Sequence, residues 1–273
     1  DDSPEKMKAD MMRAGLMKND EALVDVVVQG AKAAFEWTQS IGVPYDGTVI
    51  KFGGHSLRRC YTPQSVSGST LVKKAEAAYL EKGGTILREA EANRFITEDG
   101  RVKGIKYTDK DGRTHSLEAT KGVIIASGGF GADKAFLRNI DEAYATLDTT
   151  NMKTATADMI KRALELGADT VDLNEVQIAP WTSPKEKGFG HAPKFGDYIV
   201  LPMGVLIDPT SGRRFVNELE DRKTVADAIL ELGKPAIGLA DSKAVKRAGV
   251  DISKALKNGS VTTHDTLDQV ARV

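Results

Sequence analysis

Residues 94–119 constrain the chain most. Three short β-prone runs, 94–97, 102–108 and 114–119, are separated by Asp99-Gly100 and Asp111-Gly112. Asp-Gly pairs supply the left-handed backbone that tight hairpins need, so the spacing predicts an antiparallel meander. The meander hands over to an apolar run at 122–127, which reads as a buried strand and ends in Gly128-Gly129-Phe130-Gly131. A helix at 69–82, closed by Gly83-Gly84, and a strand at 85–89 are expected just before it. Helix, strand, meander and an apolar strand running into glycines match the crossover half of a dinucleotide-binding domain. In that architecture the ligand lies at the carboxyl ends of the strands. The other half, a strand with a G-x-G-x-x-G turn and a helix, occurs nowhere in the chain.

Upstream, Ser3 followed by Pro4 and Glu5 marks a helix start and predicts a helix to about residue 18. A second helix is expected from Asp20 to near Gly42. Ala22, Val26, Val27, Ala31, Ala34, Phe35 and Trp37 form its apolar stripe. Residues 45–68, rich in Gly, Pro and Ser, read as an extended loop. Beyond Asp133 the texture changes. A helix is expected at 158–167, short strands at 170–172 and 175–179, and a polar loop at 181–196. Runs 198–208 and 213–216 read as strands around the turn Asp208-Pro209-Thr210-Ser211-Gly212, followed by a helix at 222–232 and a strand at 235–240. The fold class expected is mixed α/β and α+β, with a first domain over 1–179 and a second, α+β domain over 180–273.

Composition narrows the function classes. The 273 residues carry 38 Lys+Arg against 39 Asp+Glu, a net charge of -1, so no basic footprint for nucleic acid or an anionic membrane exists. No apolar run approaches the roughly 18 residues of a membrane helix. The single cysteine, Cys60, excludes an internal disulfide, a haem-attachment pair and a cysteine-rich zinc site. The 4 histidines are too scattered for helix-spaced ligation, so no metal is expected. Cytoplasm and periplasm both stay open. The chain opens at Asp1 without a methionine and its last ten residues read as a helix broken off, so it is expected to be a piece of a longer protein.

At this point a family resemblance enters. Asp2-Ser3-Pro4-Glu5, Asn19-Asp20 with Leu23-Val24, Gly53-Gly54, and Ala126-Ser127-Gly128-Gly129-Phe130 resemble flavocytochrome c fumarate reductases in family order. So do Thr150-Asn151, Leu166-Gly167-Ala168-Asp169 and Gln177. The most specific match is Gly212-Arg213-Arg214-Phe215-Val216-Asn217-Glu218 with Arg222 and Ala226-Asp227-Ala228-Ile229. The chain is therefore identified as similar to the central part of the FAD-dependent fumarate reductase/succinate dehydrogenase flavoproteins. The resemblance implies a partial FAD-binding Rossmann-like domain with a meander crossover, plus an α+β capping domain. It implies hydride transfer between flavin N5 and a C=C bond, a small unsaturated organic substrate, and an electron-donating haem domain or protein as partner. Because the upstream glycine fingerprint and a downstream segment are missing, this chain alone is expected to hold FAD weakly or not at all and to be inactive.

The resemblance also assigns residues. Arg222 falls on the family's proton donor. An arginine donates poorly at its ordinary pKa, so it needs a relay that reprotonates it. Asp197 is the candidate for that role. Ser127, Gly128 and Gly129 would bring backbone amides to the flavin, and Thr150, Asn151 and Asp158 would line its side of the cap hinge. The family's Gly-Asp-Gly is here Ala157-Asp158-Met159. Its His-Pro-Thr is Ala179-Pro180-Trp181, and an alanine cannot bind a carboxylate. The substrate is therefore expected to differ from plain fumarate. Trp181 and Tyr198 suit a flat ring, and His191, in the loop Gly188-Phe189-Gly190-His191, is a further substrate candidate. His55 after Gly53-Gly54 is weaker, and Cys60 beside Arg58 and Arg59 reads as an exposed thiol. Three other readings stay open. One is α,β-dehydrogenation of the ketosteroid dehydrogenase type with Tyr198 as base. Another is a non-catalytic binding module without cofactor. The third is a nicotinamide-dependent enzyme.

Overall fold

The Asp-Gly turns form as their chemistry dictates. In the computed structural model, which describes residues 1–64, 67–186 and 190–272, Glu91–Glu98 pairs antiparallel with Arg101–Thr108. Asp99 at φ 49° and Gly100 at φ 71° make the tight left-handed turn between them. Arg101–Thr108 pairs in turn with Thr114–Glu118, closed by the Asp109 amide on the Arg113 carbonyl at 3.0 Å. The meander lies in a compact unit spanning Thr85–Val176. Within that unit 85–89 and 122–127 are not strands, contrary to the sequence expectation. A strand requires a paired neighbour, neither segment has one among the described residues, and Ile124 is 92% exposed. Helices at Lys134–Ile140, Glu142–Thr146 and Asp158–Glu165 complete the unit.

The other unit comprises Asp1–Gly84, Gln177–Glu186 and the residues from Gly190 onward. Ser3 caps the helix Pro4–Ala14 by accepting from the Lys6 amide, and Asp20 caps Glu21–Ser40 through the amides of Ala22 and Leu23. The first helix stops at Ala14 rather than near residue 18, because Leu16 and Met17 turn left-handed at φ 53° and 61°. The buried line of the second helix is narrower than its apolar pattern. Val24 and Val28 pack on Met12 of the shorter first helix, while Val26, Val27 and Trp37 stay exposed. Residues 45–68 correct a second expectation. Instead of an extended loop, Tyr45–Ile50 and Cys60–Pro63 form an antiparallel hairpin. Phe35 fixes it from the long helix, with ring centroids 4.9 Å from Tyr45 and 4.3 Å from Tyr61.

Residues 198–208 are not one strand. Gly196–Val200 is a π-helix, Leu201–Met203 a short helical turn, and only Val205–Ile207 is extended, paired with Ile237–Leu239. Two facts in the sequence favour this outcome. Pro202 has no amide, and its ring would collide with the carbonyl four residues back in an α-helix, which the wider π turn avoids. Ile199 and Val200 are also both buried, at 0% and 2% exposure, where a strand would send alternate side chains to opposite faces. Ile199 enters a cluster with Ala244 and Val250, and Val200 enters another with Leu206 and Val225. Residues 170–172 and 175–179 are irregular rather than extended.

Candidate functional site

The hairpin strand Tyr45–Ile50 leads into Lys51-Phe52-Gly53, which forms one side of an open cleft. Trp181, then Asp197, Leu201 and Pro202 around the π-helix, and finally Glu218, Glu220, Arg222 and Val225 close the remaining sides. Backbone approach is tight where the sides meet. A Cβ on Gly53 would lie 2.3 Å from the Glu220 carbonyl oxygen, and the Gly54 amide donates to the Leu219 carbonyl at 3.2 Å. Only glycine fits there.

The loop that follows is anchored on the first helix by Asp10, a buried carboxylate. It accepts from the Ser56 amide and hydroxyl at 2.8 Å each, from Arg59 Nη1 at 2.5 Å and from Arg13 Nη2 at 3.0 Å. Arg13 also donates to the Gly54 carbonyl at 2.9 Å. Burial works to raise the Asp10 pKa, but the Ser56 and Arg59 hydrogen bonds outweigh it and bring it to about 2.

Arg222 is the first residue of the helix Arg222–Glu231, which Asp221 caps through the Thr224 amide and hydroxyl. Its guanidinium carbon stands 5.2 Å from the centroid of the Trp181 ring, and Nη1 donates to Gln177 Oε1 at 3.3 Å. No carboxylate of the described residues pairs with it. Gly196 lets Trp181 approach, since a Cβ there would sit 2.9 Å from the Trp181 Cβ. Burial raises the Asp197 pKa above the usual carboxylate value, with the positive charge of Arg222 opposing the shift. Glu218, 3% exposed, accepts from Arg214 Nη2 at 2.5 Å and from the Leu206 amide at 2.6 Å. Burial alone would raise its pKa, but these partners hold it below the ordinary range.

Arg222, Asp197 and Trp181 are thus brought together. Tyr198 is not on the cleft wall. It packs edge-on against Phe52 at 5.9 Å, and burial followed by the nearby Asp197 pushes its phenol pKa up. His191 is exposed and off the wall, with its amide on Glu186 Oε1 at 2.8 Å; residues 187–189 of its loop lie outside the described residues. His55 is also off the wall, between Arg59 Nη1 at 3.3 Å and Cys60 Sγ at 3.8 Å. Burial raises the Cys60 pKa, which makes it a neutral thiol rather than a reactive thiolate. Lys51, Phe52 and Glu220 were not singled out by sequence. The Gly53-Gly54 pair beside them was the available signal.

In the unit spanning Thr85–Val176, Ser127, Gly128 and Gly129 lie in irregular backbone, with Gly128 at φ 82°. The amides of Gly128 and Gly129 meet no protein acceptor among the described residues, and the space beside both glycines is open. The Ala132 amide on the Ala155 carbonyl at 2.9 Å brings this loop alongside the segment that carries Thr150 and Asn151. Asn151 Nδ2 donates to Thr149 Oγ1 at 3.0 Å, and Asp158 Oδ2 accepts from Thr156 Oγ1 at 2.6 Å. Ala157 and Met159 turn their side chains into the interior. Open backbone donors beside glycines fit a phosphate-bearing flavin cofactor. Among the described residues no group of three or more His, Cys, Asp or Glu could hold a metal ion, and no helix is long and apolar enough to cross a membrane.

Residues 1–254 match the family described as FAD binding domain. The acrylate reductase flavoprotein subunit of Shewanella woodyi is 34% identical over 239 residues, covering 84% of this chain and 47% of that protein. Urocanate reductase of Eggerthella lenta is 31% identical over 242 residues, covering 85% of this chain and 38% of that protein. The open conformation of a flavocytochrome c3 fumarate reductase shares the fold with a TM-score of 0.73 at 23% identity, over 100% of this chain and 47% of that one. The chain therefore spans less than half the length of these relatives. Its sequence match and its mixed helix-and-strand architecture agree: the chain belongs to the FAD binding domain family.

Proposed function

We propose that the intact protein reduces a C=C bond, with Arg222 as proton donor. The observation that carries this reading is the state of Arg222. Among the described residues it lines the cleft without a carboxylate partner, held by Trp181 and Gln177, with Asp197 on the same wall. Bound FAD supplies the hydride that adds to one carbon of the double bond. Proton delivery to the other carbon falls to a guanidinium N–H of Arg222, and the resulting neutral guanidine needs a proton back. Asp197, which burial keeps protonated to higher pH than an exposed carboxyl, is the group to return it. Ser127, Gly128, Gly129, Thr150, Asn151 and Asp158 are assigned to FAD. Residues 1–179 serve the cofactor and 180–273 cap the reaction, excluding water.

A small unsaturated substrate other than plain fumarate is supported by Ala179, which stands where the family has a carboxylate-binding histidine. Electrons reach the flavin from a haem domain or a partner protein, a reading supported by the likeness to a flavocytochrome. The test is the visible spectrum of the full-length protein before and after dithionite. A flavin spectrum that bleaches, together with an Arg222→Ala variant that keeps the flavin and loses turnover, is the expected result. A colourless protein that takes up no added FAD refutes the reading.

A further inference from the structure

Lys51 is the one amine on the wall of the cleft among the described residues. It is half-buried, and no carboxylate or other acceptor of the described residues pairs with it. Three of the other charged groups on the wall are engaged, and Asp197 feels the positive charge of Arg222. Arg222 is held by Trp181 and Gln177, Glu218 is taken by Arg214 and the Leu206 amide, and Glu220 accepts from Asn217 at 3.0 Å. A partly desolvated ammonium without an anion is an incomplete interaction, and a carboxylate completes it. A second substrate carboxylate placed beside Glu220 would be repelled by its like charge. The surface left for the rest of the substrate is apolar, from Phe52, Leu201, Pro202 and Val225.

We infer that Lys51 anchors the single carboxylate of an α,β-unsaturated monocarboxylic acid whose other substituent is apolar. This rests on the C=C reductase reading above. Conjugation to the carboxylate is what lets the double bond accept hydride. The new C–H bond forms at the β-carbon, the π pair shifts toward the α-carbon and the carboxylate oxygens, and the α-carbon then takes its proton from Arg222. An ammonium on the carboxylate opposes the charge that builds there, so Lys51 binds the substrate and favours the transition state.

The experiment uses the full-length, flavin-bearing protein as wild type, Lys51→Met and Lys51→Arg. Titration calorimetry measures binding of 3-phenylpropanoate and of succinate. Turnover is followed with cinnamate, its neutral amide, and fumarate. Lys51→Met is expected to weaken 3-phenylpropanoate binding and raise KM for cinnamate by roughly 10- to 100-fold. It should affect the amide less than the carboxylate, and Lys51→Arg should stay within a few-fold of wild type. Wild type should prefer the monocarboxylates to succinate and fumarate. Equal binding by Lys51→Met and wild type, or a preference for fumarate, overturns the inference. If the wild type reduces none of the olefins, the reductase reading fails by itself. The calorimetry still decides Lys51: loss of monocarboxylate affinity in Lys51→Met upholds the anchor, and no loss refutes it.

Discussion

The Arg222 guanidinium carbon lies 5.2 Å from the centre of the Trp181 ring, while one of its nitrogens donates to Gln177. A cation against an indole face gains about 0.5–2 kcal/mol, depending on how dry the contact is. Trp181→Ala should therefore cost roughly 2- to 30-fold in kcat/KM by loosening the proton donor. Trp181→Phe, which keeps an aromatic face, should recover most of that loss. Steady-state kinetics on the full-length protein decide it, and an unimpaired alanine variant would show that the ring does not hold the donor.

Asp197 makes a pH prediction with a definite sign. Its folded-state pKa is raised, first by burial, so the folded protein binds its proton more tightly than the unfolded chain does. Stability is then lost as pH climbs from the ordinary carboxylate value through the raised one. Asp197→Asn, which cannot ionise, should melt higher than wild type near neutral pH. The difference should vanish at a pH below the ordinary aspartate pKa. Melting curves across pH 3–7 test this, and a gain that persists at the acid end contradicts it. The same variant should slow turnover, because the arginine loses its proton source.

Asp10 behaves in the opposite sense. Its pKa, about 2 against 3.8 for a free carboxyl, means that the folded state favours its ionised form. That contribution, about 2 kcal/mol, is fully present above the free value and disappears as pH falls from 3.8 to about 2. Asp10→Ala leaves the buried Arg59 with Asp2 alone and should cost about 3 kcal/mol in urea unfolding. A variant as stable as wild type would mean that the carboxylate does not anchor the loop.

The chemistry of the chain was more legible in sequence than its geometry. Asp99-Gly100 declared its hairpin, and Ser3 and Asp20 declared their helix starts, because local hydrogen bonds decide those features within a few residues. Residues 122–127 were misread for the complementary reason. An apolar run becomes a strand only when a neighbour pairs with it, and pairing is non-local. Lys51 escaped notice because the neighbouring Gly53-Gly54 marks a close backbone approach without showing what it meets. Its significance comes from meeting Trp181 and Arg222, more than a hundred residues away, across the cleft.

Gly53 offers a steric test with an internal control. Gly53→Ala drives a methyl group to 2.3 Å from the Glu220 carbonyl, which is backbone and has no rotamer to escape into. A loss of about 1–3 kcal/mol is expected, with a raised KM as Lys51 and Phe52 are displaced. Gly30→Ala, inside the long helix with nothing within 4 Å of the new methyl, should instead stabilise by about 0.5–1 kcal/mol. Denaturant titration of both variants checks the pair, and equal effects would refute the steric argument.

The widened turn at Gly196–Val200 acts as a phase setting for everything before it. Each residue of a helix rotates its side chain by about 100°. Removing one residue from this turn would not merely shorten the chain. It would swing Asp197 and its predecessors away from the cleft while leaving Leu201 and Pro202 where they are. Relatives that differ in length at this point would then present different chemistry to the same apolar wall, so that insertion and deletion here act on specificity as directly as substitution does.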